Sequence, residues 1–443
     1  MAKKNIDMTQ GKLGKAMIAF SIPLILSGLL QQMYSWADAF IVGNIEGELA
    51  LAAVGASGVI SRMVTMVLTG FAAGLSVLAA QVFGRGEKGK LSAMLSTFAP
   101  IFGGIAAAAA VVMAVFARPL LAAYDTPANV FEMSVDYLRW YMLGTPFMAV
   151  YNVYSSVLRG MGDSKAPFRS IMVSSGANIA LDLLFVGAFG WGAAGAALAT
   201  ALSQAAMTIF IVWYTVARYE ELRFKLRGMG LDRAMLKEGF SFGLPMALQQ
   251  SVNSIGQIAL QGFQNSFGSA TVAAISTAYR VDSLMLLPVM NLGHGVATAV
   301  GQNVGTGNKE RVRQSMRIGL GIISATCIVL TLVVVAWGGK IVALFGVSEE
   351  AVEIGTRFFR CLAPFYITFG LSTTIQGYIK GMGDMKFFSI ANIVLLGIRV
   401  AASYIMKPYF GNMSIAWAEV LVWVIQPIVW IIRARQLEKK HNV

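Results

Sequence analysis

The chain has 443 residues, of which 56% are hydrophobic and only 13% charged, with 46 glycines and a formal net charge of +13. This composition falls outside the range of soluble globular domains and inside that of polytopic membrane proteins. The positive charge does not mark a nucleic-acid face, because no single loop clusters Lys and Arg with interleaved aromatic residues.

Apolar stretches of about 20 residues suffice to cross a bilayer core of roughly 30 Å as helix. In chain order they predict helices near 16–42, 49–82, 91–116, 133–158, 166–188 and 191–216, then near 238–261, 271–303, 312–337, 354–379, 387–408 and 414–432. The first span carries Lys12 and Lys15 before an apolar run and the small-residue triplet Ala37, Asp38, Ala39, which resembles a signal peptide. Its proline, Pro23, has a counterpart at Pro245 in the seventh span, so the segment is read as part of the fold.

The counterpart belongs to a duplication with an offset of 221 residues. LRGMGDSK (from Leu158) returns as IKGMGDMK (from Ile379), and LAAYDTPANVFEMSVDYLRW (from Leu121) returns as VALFGVSEEAVEIGTRFFRC (from Val342). GLSVLAAQVFGRG (from Gly74) pairs with GVATAVGQNVGTG (from Gly295). Each half holds six spans, an even number, so both enter the membrane with one orientation. The expected fold is therefore an all-α polytopic membrane protein, with twelve transmembrane helices in two six-helix bundles related by a pseudo-twofold axis along the membrane normal. The expected lobes are 1–217 and 238–443, joined by a basic linker over 218–237.

Lys and Arg concentrate in the N-terminal tail (Lys3, Lys4, Lys12, Lys15), after spans two, four, six, eight and ten, and in the tail from Arg433 to Lys440. The intervening loops carry Glu46, Glu48, Asp125, Glu132, Glu349 and Glu350. The positive-inside bias then predicts cytoplasmic termini. The glycine-rich segments GRGEKGK (from Gly84), GTGNKER (from Gly305) and the two GMGD motifs lack P-loop spacing. They are read as helix ends closed by left-handed glycines with basic residues in the last turn. Cys327 and Cys361 have neither C-x-x-C spacing nor a cysteine-rich context and are read as small apolar fillers.

An ionisable side chain at membrane depth costs at least roughly 2.5–3.5 kcal/mol on insertion scales, so it usually faces a cavity or a partner. The residues concerned are Asp38, Arg62, Asp182, Arg280, Asp282, His294, Arg399 and Glu419. Asp182 follows Asn178 by one helical turn, which puts both on one face. At 1.5 Å per residue Asp182 stands about 24 Å from the start of span five and Thr200 about 13 Å from the start of span six. With Asp38 near the outer end of span one, the four offer carboxylate, amide and hydroxyl oxygens. Such a set suits a hard cation such as sodium, and two nearby carboxylates favour sharing a proton. Sodium, a proton, or either in turn remain open. Arg62, Arg280 and Arg399 are read as counter-charges between helices, His294 as an interior histidine, and Glu419 as an acid near the outer end of its span. Met33, Trp36, Phe147, Tyr151 and Tyr154 are candidate cavity contacts, with core packing as the simpler explanation.

The segment WADAFIVGNIEG followed by LALAAVGAS, the Q-x-x-G-x-G loop from Gln81 with its counterpart from Gln302, and the duplicated (R/K)GMGD-x-K resemble the multidrug and toxic compound extrusion (MATE) transporters over essentially the whole chain. The resemblance implies a cation site of the DinF-like prokaryotic branch at Asp38, Asn178, Asp182 and Thr200. The chain departs from the NorM-like pattern, with Asn253 where that branch has a glutamate and Phe369 where it has an aspartate. The resemblance implies a secondary antiporter, not an enzyme, exporting amphipathic or cationic organic compounds in exchange for sodium or protons, without other cofactor. Its partners would be small organic substrates and the lipid bilayer, not nucleic acid; it would act as a monomer in the inner membrane of a prokaryote. Asn253, Arg280 and Arg399 join the candidate substrate cavity. The alternative is a lipid-linked saccharide flippase, which Arg62, Arg280 and Arg399 would serve by holding a pyrophosphate. An intramembrane hydrolase lacks a His/Ser/Asp or metal arrangement.

Overall fold

The computed structural model describes residues 5–223 and 232–441. Lys3 and Lys4 of the basic tail and the middle of the expected linker lie outside these residues. The described residues are helical, with no strand among them. The first half runs α1 (Leu13–Ile45), α2 (Glu48–Gly84), α3 (Lys88–Val115), a short α4 (Ala117–Ala123), α5 (Phe131–Met142), α6 (Thr145–Gly160), α7 (Lys165–Asp182) and α8 (Gly192–Arg218). The second half runs α9 (Arg233–Asn265), α10 (Ser269–Gly305), α11 (Lys309–Ala343), α12 (Glu349–Leu362), α13 (Tyr366–Gly381), α14 (Met385–Phe410) and α15 (Ser414–His441).

These are the twelve transmembrane helices of an all-α polytopic protein. Eight segments are long and apolar enough to cross a membrane on their own account. The others are legible for physical reasons. Span four is split into α5 and α6 at Leu143 and Gly144, and span ten into α12 and α13 by a 3-10 turn at Ala363–Phe365. Both breaks sit beside a proline, Pro146 or Pro364, whose ring is accommodated at a helix start but not inside one. In α9 the polar residues Gln249, Gln250, Asn253, Gln257 and Gln261 dilute the apolar run.

The chain forms two compact units, Leu26–Ala247 and Met1–Ile25 with Leu248–Val443. Their limits differ from the halves of the duplicated sequence. The divisions fall inside α1 and α9, just beyond Pro23 and Pro245, where a proline removes a backbone hydrogen bond and allows a kink. Glycines at equivalent repeat positions receive the exchanged segments. A side chain on Gly74 would meet the Phe242 backbone of α9, and one on Gly295 would meet Ser21 of α1. Such close approach is how helices associate where lipid removes the hydrophobic drive between them.

In the unit Leu26–Ala247, a core built on Leu75, Leu78, Met94, Phe98, Tyr154 and Val157 ties α2, α3 and α6 together. The Phe71 ring lies 4.2 Å from Phe102 and 5.4 Å from Phe240, centroid to centroid, which anchors the start of α9 to α2 and α3. In the other unit, the segment before α1 is sewn to α10 and α11. The Met8 amide donates to Gln302 Oε1 at 3.0 Å, while Asn303 Nδ2 and Arg311 Nη2 donate to the Met8 carbonyl at 3.1 and 3.0 Å. The second copy of the Q-x-x-G-x-G motif thus holds the N-terminal segment.

The GMGD motifs close helices, as their glycines suggested. Gly162 and Gly383 adopt φ of 86° and 89°, a left-handed conformation that glycine takes without penalty. The aspartate that follows links three helices. Asp163 Oδ1 accepts from the amides of Lys165 and Ala166 at the start of α7, and its Oδ2 accepts from the Tyr214 and Tyr219 hydroxyls at the end of α8. Asp384 does the same in the repeat, capping α14 through the Phe387 amide and accepting from Arg433 Nε of α15 at 2.7 Å.

Candidate functional site

The first constellation lies in the unit Leu26–Ala247. Asn178 and Asp182, one turn apart on α7, are 1% and 0% exposed. Helix α7 ends at Asp182, and the chain continues as a π-helix over Leu183–Ala188. π segments are rare and recur at functional sites, because the wider turn redirects the side chains beside it. Asp38 of α1 comes within hydrogen-bonding reach of Asp182. Two carboxylates have no hydrogen to donate, and Asp38 Oδ1, both Asp182 oxygens and both Asn178 amide atoms are buried with no hydrogen-bond partner among the described residues. Two ionised carboxylates this close repel, which favours their sharing a proton. Thr200 is buried on α8, which packs along α7. Its hydroxyl does not hydrogen-bond to Asp182.

Two tyrosines face this pair with a third beside them, and all three escaped the sequence reading. Tyr34 lies one turn before Asp38 on α1, while Tyr137 and Tyr141 lie one turn apart on α5; Tyr34 and Tyr137 are within electrostatic reach of both aspartates, and Tyr141 lies beside these two tyrosines. The Tyr137 and Tyr141 rings stack with centroids 6.0 Å apart, and Tyr141 Oη stands 3.4 Å from Thr65 Oγ1 of α2. The i,i+4 spacing of Tyr34 with Asp38, and of Tyr137 with Tyr141, was the available signal.

The expected cavity contacts divide. Met33, Trp36 and Phe147 are exposed, whereas Tyr151 and Tyr154 belong to the packed core. Asn253 is half-buried and donates to Gln250 Oε1 on its own helix at 3.1 Å. Arg62 and Arg280 are exposed and form no ion pair among the described residues, so neither acts as a counter-charge between helices. His294 also lies on an exposed face, of α10.

Arg399 does pair. In the unit completed by Leu248–Val443, its Nη2 donates to Glu419 Oε2 of α15 at 2.9 Å and to the Tyr279 hydroxyl of α10 at 2.7 Å. Tyr279 passes the contact on, donating to Glu419 Oε2 at 2.9 Å. Asp282, one turn along α10, accepts a 2.6 Å bond from the Tyr366 hydroxyl of α13. No group of three or more His, Cys, Asp or Glu among the described residues could hold a metal ion by itself.

The comparisons with known proteins agree with this architecture. The MatE family model matches twice, over residues 23–184 and 245–405. The probable multidrug resistance protein YoeA of Bacillus subtilis is 28% identical over 403 residues, covering 89% of this chain and 87% of that protein. The multidrug export protein MepA of Staphylococcus aureus is 23% identical over 409 residues, covering 91% and 89%. A MATE family transporter of the MOP superfamily, solved in an outward-facing conformation, superposes with a TM-score of 0.91 over 99% of this chain and 100% of its own, at 23% identity. With both copies of the repeat matched by the family model, the chain belongs to the MATE family of multidrug efflux transporters.

Proposed function

We propose that the protein is a secondary antiporter that exports amphipathic or cationic organic compounds in exchange for sodium ions or protons, working as a monomer in the inner membrane of a prokaryote with both termini in the cytoplasm. Coupling resides in the unit Leu26–Ala247, at Asp38, Asn178, Asp182 and Thr200. The observation that carries this reading is the Asp38–Asp182 pair, two facing carboxylates whose buried oxygens lack a donor. A proton shared between them, or a sodium ion ligated with the Asn178 carbonyl and the Thr200 hydroxyl, removes the repulsion. When the ion leaves, the negative charge returns and the carboxylates part or take up the next cation. Pro23 gives α1, which carries Asp38, a point at which to bend in response. The flippase alternative draws less support, because Arg399 is already engaged by Glu419 and Tyr279 rather than open to a pyrophosphate.

The experiment is efflux of a fluorescent cationic dye from vesicles energised by a sodium gradient alone or a pH gradient alone. Asp182→Asn is expected to abolish gradient-driven efflux under whichever gradient drives the parent protein. Undiminished efflux by a folded Asp182→Asn variant refutes the assignment.

A further inference from the structure

In the unit completed by Leu248–Val443, two buried acids stand near a single base among the described residues. Asp282 and Glu419 are 6% and 8% exposed, and Arg399 is the one cation that meets either of them among the described residues. Arg399 is committed, since its Nη2 is shared between Glu419 and Tyr279. Among the described residues Asp282 receives the neutral hydroxyl of Tyr366, on its Oδ1, and forms no ion pair.

Two layers of side chains build the place. Tyr279 and Asp282 are three residues apart on α10 and share a face, as do Glu419 and Trp423, four apart on α15. The upper layer is the Tyr279, Arg399, Glu419 network. In the lower layer Tyr366 packs against Trp423 with centroids 5.9 Å apart, and Trp423 packs on Phe369 at 5.1 Å. Phe369 thus extends the aromatic stack that backs Tyr366, the donor to Asp282. Among the described residues the remaining titratable groups are Cys327 of α11, which faces Tyr366, and Cys361 of α12, which faces Glu419; both are thiols and neither supplies a positive charge. Asp282 stands about 20 Å along α10 at 1.5 Å per residue, well inside the apolar span. With both acids ionised the cluster carries one excess negative charge, which is unfavourable at that depth.

We propose that Asp282 is a second proton-carrying carboxyl of this transporter, oriented by Tyr366, which is itself packed on Trp423. The proton joins Oδ2, the oxygen not engaged by Tyr366, and brings the Asp282, Glu419, Arg399 cluster to neutrality. Its release restores the single excess charge. A proton fits where an organic cation does not, because Tyr366 is fully buried and Asp282 is only 6% exposed. Use of this proton in transport rests on the antiport reading above; its presence on Asp282 does not.

The test is infrared difference spectroscopy of the full-length protein in lipid nanodiscs between acidic and basic buffer, in an Asp38→Asn/Asp182→Asn background that removes the first site. A pH-dependent carbonyl stretch of a protonated carboxyl is expected to remain. Asp282→Asn should remove it, Asp282→Glu should move it, and Tyr366→Phe should raise its frequency by deleting a hydrogen bond. The proposal is overturned if the difference spectrum is the same with and without Asp282→Asn, or if Asp282→Asn lowers the unfolding temperature equally at every pH, as removal of a permanently ionised structural partner would. Neither readout involves transport, so failure of the dye-efflux experiment and failure of this one are distinct.

Discussion

The Arg399–Glu419 pair offers a direct test of how charge is held inside this protein. The contact is 2.9 Å between Nη2 and Oε2, with the side chains only 14% and 10% exposed. Two unit charges about 4 Å apart attract by about 4 kcal/mol at an effective dielectric of 20, and removing one member of a buried pair costs roughly 3–5 kcal/mol because the other is left uncompensated. Glu419→Gln should therefore destabilise the unit by up to about 4 kcal/mol, since the guanidinium cannot discharge and Asp282, which forms no direct ion pair with it, offsets the loss only in part. Replacing both partners, as Arg399→Met with Glu419→Leu, should cost much less than the two single losses added together, because neither desolvated charge remains. Tyr279→Phe removes two hydrogen bonds to charged partners and should fall between, at about 2 kcal/mol. The assay is reversible unfolding in mixed micelles, with the double-mutant cycle analysed for its interaction term. Strictly additive losses would falsify the account of Arg399 as a counter-charge and return it to the candidate substrate cavity.

Sodium should raise the thermal stability of the parent protein in detergent if it is the coupling ion, and the increment should vanish in Asp38→Asn; an identical increment in that variant removes Asp38 from the site. Gly74→Leu should destabilise by more than the roughly 1–3 kcal/mol typical of overpacking, since even a Cβ there meets the Phe242 backbone. Gly55→Ala, in the same helix with open space around it, should be neutral or slightly stabilising, and chemical denaturation of the two compares them. Gly383→Ala should cost about 1–2 kcal/mol because φ is 89°, whereas a loss no larger than that of an exposed helical glycine would mean the turn adapts.

Much of this protein could be read from its sequence. Composition and apolar run length identified the twelve spans, and the repeat of LRGMGDSK as IKGMGDMK identified two equivalent bundles. The residues Asn178 and Asp182 were visible because an acid within an apolar run is rare and its helical neighbour is determined by a period of 3.6. Other features were decided only by tertiary packing. The limits of the compact units inside α1 and α9 depend on which helices accept Gly14, Ser21 and Gly243, a matter of side-chain fit that no local pattern encodes. The π-helix after Asp182 arises in a run of Leu, Phe, Val and Gly that reads as ordinary helix. Arg399, Glu419, Tyr279, Asp282 and Tyr366 are spread over 141 residues of sequence and meet because α10, α13, α14 and α15 converge. Hydrophobic periodicity specifies which face of a helix is buried. The partner that a buried charge meets on that face depends on the register between helices, which only the packed structure sets.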